Sequence, residues 1–125
     1  MASERFERGM KVRREVLGAA YVDKSMAEAD EFSRPMQELV TEYCWGEIWT
    51  QPELPRKTRS LINVAMISAL NRPHELKLHV RGALRNGCSK EEIRAVLMQV
   101  AIYCGVPAAI DGLRVAREVL KEEGI

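Results

Sequence analysis

The chain is poor in residues that do chemistry unaided. Its 125 residues include two histidines, three cysteines, two tryptophans, three tyrosines and two phenylalanines. Cys44, Cys88 and Cys104 form no C-x-x-C pair and are odd in number, which excludes a redox dithiol and a disulfide framework. Each reads as a small, semi-apolar residue. His74 and His79 stand about 140° apart around a helix, and no cysteine has ligand spacing to either, so no metal site is expected. An excess of one charge is missing too: 19 Lys and Arg face 18 Asp and Glu, leaving a net charge of +1. Nucleic-acid binders show a clustered basic excess, so no nucleic-acid partner is expected. The longest apolar run, Leu61 to Leu70, is broken by Asn63 and Ser68 and is far too short to span a bilayer. Met1 to Met10 is charged and carries no apolar signal segment. The expected setting is the cytoplasm, with no membrane association.

Against these absences stand 46% hydrophobic and 30% charged residues, the balance of a folded globular chain. The length suits one domain, residues 1–125, with one core. No repeat or linker divides it. Helical periodicity runs throughout and no alternating strand pattern appears, so the expectation is an all-α bundle of about six helices. Ser3 to Leu17 forms the first, stopped by Gly18. A polar stretch around Tyr21 to Ser25 follows. Phe32, Met36, Leu39, Val40 and Tyr43 then mark a second helix, with Pro35 either in its first turn or at a kink. Trp45-Gly46 leads into a short segment closed by Pro52 and Pro55. Arg56 to Leu70, apolar on nearly all sides, reads as central and buried. A helix from Arg72 stops at Gly87. Ser89-Lys90-Glu91-Glu92 is a capping box opening the next, which Gly105 ends. Pro107 suits the first turn of a last helix running to about Glu123.

Arg72 to Gly87 is the most informative stretch. Leu76, Val80, Ala83 and Leu84 share one arc, while Lys77, Arg81 and Arg85 point the other way. His79 lies at the rim between them, with Glu75, Arg72 and Asn86 around its direction. A partly desolvated imidazole there can serve as a proton donor tuned near neutral pH. It can equally be a hydrogen-bonded structural residue.

Two further stretches stand out. In Glu42-Tyr43-Cys44-Trp45-Gly46-Glu47-Ile48-Trp49 the tryptophans sit four apart and can stack, with one carboxylate upstream. They read either as an aromatic pocket wall or as an anchor for a loop or subunit interface. Tyr103-Cys104-Gly105-Val106-Pro107 joins a helix end to a proline-started N-terminus, a place for an anion with Tyr103 as a hydrogen-bond donor, or a structural corner.

Taken together, V-R-R-E-V-L-G-A-A-Y-V-D, T-E-Y-C-W-G-E-I-W-T, E-L-K-L-H-V-R-G-A-L-R-N-G, E-E-I-R-A-V-L-M-Q-V and Y-C-G-V-P-A-A resemble, in order, the carboxymuconolactone decarboxylase family of the alkylhydroperoxidase-D-like superfamily. The resemblance covers most of the chain. It implies an all-helical subunit assembling into trimers or hexamers. It also implies a cofactor-free enzyme that converts 4-carboxymuconolactone to the β-ketoadipate enol-lactone in protocatechuate breakdown.

On this resemblance His79 holds the position of the proton-transferring histidine. Glu42, Trp45 and Trp49 match the pocket segment, and Tyr103 with Cys104 the later motif. The implied reaction needs no metal or organic electron sink, because electrons left by CO₂ flow through the ring alkene into the lactone carbonyl. The enzyme supplies a weakly polar wall (Trp45, Trp49), donors for the enolate oxygen, and an acid for ring carbon (His79). Glu42 or Glu75 would orient the imidazole, and Arg72 or Arg81 would hold the retained acetate. Two departures from the pattern matter. Arg72 and Glu75 replace the thiols of redox-active relatives, which speaks against a peroxidase. Gln51 and Glu53 stand where related decarboxylases tend to carry Arg and Gly, which leaves open a different substrate or a fold kept as a non-catalytic small-molecule-binding oligomer.

Overall fold

The computed structural model describes residues 3–125; of the charged opening, Met1 and Ala2 lie outside the described residues. It is all-α. Helices α1 (Glu4–Leu17), α2 (Ala19–Glu28) and α3 (Arg34–Leu39) are followed by a π-helical segment, Val40–Ile48. Then come α4 (Arg56–Leu70), α5 (Pro73–Arg85), α6 (Lys90–Tyr103) and α7 (Val106–Glu122). The chain divides into two compact units, one ending at Leu54 and one from Pro55 to Ile125.

In the first unit, Ser3 caps α1 by accepting from the Phe6 amide, and Gly18 ends it at φ 95°. The polar stretch Tyr21–Ser25 is helical rather than irregular: α2 runs through it, burying Val22 and presenting Asp23 to Arg14 at 2.8 Å. Charged residues there occupy the solvent face of an amphipathic helix, which a reading by polarity mistakes for a loop. Pro35 sits in the first turn of α3. The second expected helix does not stop near Tyr43. It widens into the π-helical turns that carry both tryptophans, closing with Trp49 N–H donating to the Cys44 carbonyl at 3.0 Å. The Thr41 hydroxyl donates to the Gln37 carbonyl at 2.7 Å. Gly9 and Gly46 let the α1 and π-helical backbones touch. A Cβ on Gly9 would lie 1.9 Å from the Thr41 carbonyl oxygen, and one on Gly46 would lie 2.5 Å from that of Arg5.

The second unit is built on aliphatic packing. Val64, Leu76, Val80, Ile93, Leu97 and Val119 are its buried centre. Ser89 and Glu92 form the capping box, and Gly87 and Gly105 adopt φ of 91° and 108° at the breaks on either side of α6. The α4 helix is less buried than its composition suggests. Only Ser60, Val64 and Ser68 are fully covered, while Ile62, Met66 and Leu70 are exposed. Its apolar excess lies on a face that this unit's own core does not use. Exposed Met98, Ile102, Tyr103, Val106 and Ile110 extend the apolar surface onto α6 and α7. No helix among the described residues is long and apolar enough to cross a membrane.

Candidate functional site

The rim position expected of His79 is its place in the structure. Leu76, Val80 and Ala83 are buried against the unit's core, and the imidazole is partly buried beside them. From α4, packed on α5, the Asn63 carboxamide nitrogen approaches His79 Nδ1 at 3.4 Å. Burial pushes the His79 pKa from its ordinary 6.5 down to about 4, outweighing the upward pull of the Glu75 carboxylate one turn earlier on α5. The ring is therefore neutral at physiological pH, which differs from the near-neutral value expected from its rim position. Desolvation outweighs the Glu75 charge, which is itself exposed and screened by water.

Arg72 is the exposed residue preceding α5, two turns and about 10 Å along the helix axis from His79, on the same stripe. Arg81 and Lys77 are not free in water. Both are half-buried and pair with Glu122 of α7, Lys77 at 2.9 Å, and Arg81 also reaches Glu123 at 3.9 Å. These two cations hold the Glu122 carboxyl below its ordinary range. Arg81 is thus tied to α7 rather than presented to a ligand. Asn86, expected near His79, instead donates to the Ser60 hydroxyl at 2.8 Å.

Tyr103 and Cys104 lie at the end of α6, both exposed. They border an apolar cavity of about 330 Å³ between α4 and α6, together with Thr58, Leu61, Val96 and Gln99. His79 is not among its walls.

The first unit carries the remaining candidates. Trp45 and Trp49 stack with ring centroids 4.7 Å apart and a 31° tilt, and both are buried. Four residues apart, the two side chains lie about one turn from each other on one side of the segment. Glu42 reaches the Arg5 guanidinium at 3.9 Å, while that guanidinium covers the Tyr43 ring at 4.5 Å. Gln51 and Glu53 are exposed in the turn beyond. Arg13 is buried, donating to the Thr41 hydroxyl at 3.2 Å. Burial raises the Cys44 thiol pKa, with Arg13 pulling the other way. All three cysteines are unpaired.

Among these residues Asn63 is the contact that reading for chemistry missed. Its one sequence signal is a carboxamide set inside the most apolar run of the chain.

The model of the carboxymuconolactone decarboxylase family matches residues 34–118. A 4-carboxymuconolactone decarboxylase of Acinetobacter baylyi is 38% identical over 122 residues, covering 98% of this chain and 91% of that protein. A nitrosuccinic acid decarboxylase of Metarhizium robertsii is 42% identical over 117 residues, covering 94% of this chain and 82% of the relative. An uncharacterized 15.0 kDa protein of Paracoccus denitrificans is 33% identical over 100 residues, covering 72% of this chain and 74% of the relative. With the motifs around Trp45, His79 and Tyr103 all inside the matched span, the chain belongs to the carboxymuconolactone decarboxylase family.

Proposed function

We propose that this chain is a cofactor-free carboxy-lyase acting on 4-carboxymuconolactone or a close chemical analogue, with His79 delivering the proton that replaces CO₂. Kinship to two decarboxylases across most of the chain carries the reaction type. Their two named substrates share one carbon environment. In each, the carbon that loses CO₂ bears a CH₂–COO⁻ arm and an oxygen-bearing electron sink, the unsaturated lactone in one and the nitro group in the other. The substrate class follows: a dicarboxylate whose departing carboxylate leaves its electrons on a conjugated oxygen.

For the lactone the C–CO₂ bond breaks and its electron pair moves through the ring alkene to the carbonyl oxygen. The resulting dienolate then takes one proton at ring carbon. His79 rests neutral. A dianion bound beside it raises its pKa, so the ring takes up a proton as substrate binds and gives it to carbon after CO₂ departs. Glu75, one turn away on α5, favours that charged form. Arg72, on the same stripe, is the proposed partner of the retained arm. Trp45, Trp49 and Tyr103 are proposed substrate contacts on the family pattern and Glu42 is the alternative to Glu75 as the catalytic carboxylate; replacing each in turn and measuring kcat and KM tests these roles. The salt-bridged Arg81 acts by fixing α5 to α7.

The nitrosuccinate relative favours a second substrate within the same chemistry, in which the nitro oxygens hold the electrons as a nitronate before protonation. Parallel CO₂-release assays on the two acids separate these readings, and turnover of neither overturns the proposal. Assembly into a ring is proposed as well. The exposed apolar surface of α4, α6 and α7 supports it, and the mass in solution by light scattering tests it, a monomer sinking the idea.

A further inference from the structure

We infer that Asn63 is the positioning residue for His79, its carboxamide bonding Nδ1 from the neighbouring helix and so assigning the ring proton of the neutral imidazole to Nε2. The inference rests on the reading of His79 as proton carrier for its kinetic consequences, but not for its structural ones.

A neutral imidazole has one donor and one acceptor nitrogen, and the tautomer follows from what each nitrogen meets. Here the Asn63 amide nitrogen stands 3.4 Å from Nδ1. With the amide turned this way its N–H is the donor, so the inferred acceptor is Nδ1 and the inferred proton position Nε2. Asn63 comes from α4 and His79 from α5, and Val64, Leu76 and Val80 pack the two helices together. The pairing is therefore held by the aliphatic core rather than by a flexible loop.

The choice of a carboxamide has a chemical reason. A proton carrier alternates between neutral and charged forms, and Nδ1 alternates between acceptor and donor. Turning the amide over by half a rotation presents Oδ1 in place of the NH₂ group, so one side chain serves both states. A carboxylate accepts but cannot donate, and it would favour the charged ring at all times. An aliphatic side chain serves neither state. This gives a reason for a polar residue inside the otherwise apolar run Leu61 to Leu70.

The experiment is long-range ¹H–¹⁵N NMR of the full chain at neutral pH, with the His79 signals identified by their loss in His79→Gln. The expected pattern is a pyridine-like Nδ1 and a pyrrole-like Nε2 in the wild type. Asn63→Asp should move the proton to Nδ1, and Asn63→Leu should give a mixture of the two tautomers. A wild-type ring protonated at Nδ1, or the same tautomer in all three proteins, overturns the inference. In the decarboxylation assay Asn63→Leu should lower kcat about 10- to 100-fold with KM little changed, as expected for misplacement of a reacting group. Should the wild type decarboxylate neither acid, the proposed function fails while the NMR pattern still decides the role of Asn63. Should Asn63→Leu not fold, the wild type and the near-isosteric Asn63→Asp carry the test.

Discussion

The two units of this chain are held together by different physics. The second, from Pro55 on, buries Val64, Leu76, Val80, Ile93, Leu97 and Val119 around one aliphatic centre, with the Ser60 and Ser68 side chains buried in the same unit. The first also buries Val12, Val16, Val22, Trp45 and Trp49, but its main seam is of another kind. Its α1 and π-helical segment meet through Gly9 and Gly46 at backbone distance, pinned by the buried Arg13–Thr41 hydrogen bond and by Arg8 Nε donating to the Gly46 carbonyl at 3.0 Å. Aliphatic packing tolerates small volume changes by local repacking, whereas backbone-to-backbone contact leaves nothing that can yield. His79, the proposed proton carrier, stands on the unit with the adaptable core. The tryptophan pair stands on the unit with the rigid seam.

The largest break in this comparison should come from Gly9→Ala. The added methyl would meet the Thr41 carbonyl oxygen at 1.9 Å, so the helices must part. More than about 3 kcal/mol should be lost by urea unfolding, with Trp45 and Trp49 fluorescence reporting the change. A loss under 1 kcal/mol, on the order of a surface change, would show the seam to be soft. In the second unit Leu97→Ala should cost about 2–5 kcal/mol by leaving a cavity, yet keep the His79 helix in place. A smaller cost would mean that α6 and α7 collapse into the space.

His79 sharpens the contrast by pH. Its folded pKa lies below its unfolded value, so between 6.5 and about 4 the unfolded chain binds more protons. Stability is therefore full above pH 6.5 and declines as pH falls toward 4, by at most about 3 kcal/mol. Glu92 and Glu122, whose pKa values are lowered from 4.5, add their own losses only at lower pH. Unfolding midpoints between pH 7 and 5 should fall in the wild type and stay nearly level in His79→Gln. Equal slopes would place the ring in water. The smallest effect belongs to Thr41→Val. It removes the hydroxyl that accepts from Arg13, at a cost of about 1–3 kcal/mol for the buried guanidinium, read from the urea midpoint.

How far these features were legible from residues alone differs between the units. Ser3, Gly18, Ser89 with Glu92, Gly105 and Pro107 mark helix ends by local backbone chemistry, and the structure uses each as marked. The rim position of His79 follows from helical periodicity and was equally plain. The α2 helix was not, since its narrow buried side, centred on Val22, is outweighed by the polar residues of its solvent face. Nor was the π-helical segment, which packs at backbone distance on Gly9 of α1 and has no periodic signature of its own. The low pKa of His79 and its Asn63 partner depend on how α4 and α5 pack, a tertiary fact with no periodic signature. Arg81 points away from the apolar arc as the wheel requires, but only the fold supplies Glu122 to hold it.

The most direct test of the account is CO₂ release from 4-carboxymuconolactone and from nitrosuccinate by the wild-type chain and by His79→Ala. The account predicts turnover of at least one acid by the wild type, with kcat/KM falling about 10²- to 10⁴-fold in the variant, the contribution of a positioned general acid. A folded His79→Ala protein retaining wild-type kcat/KM would contradict it.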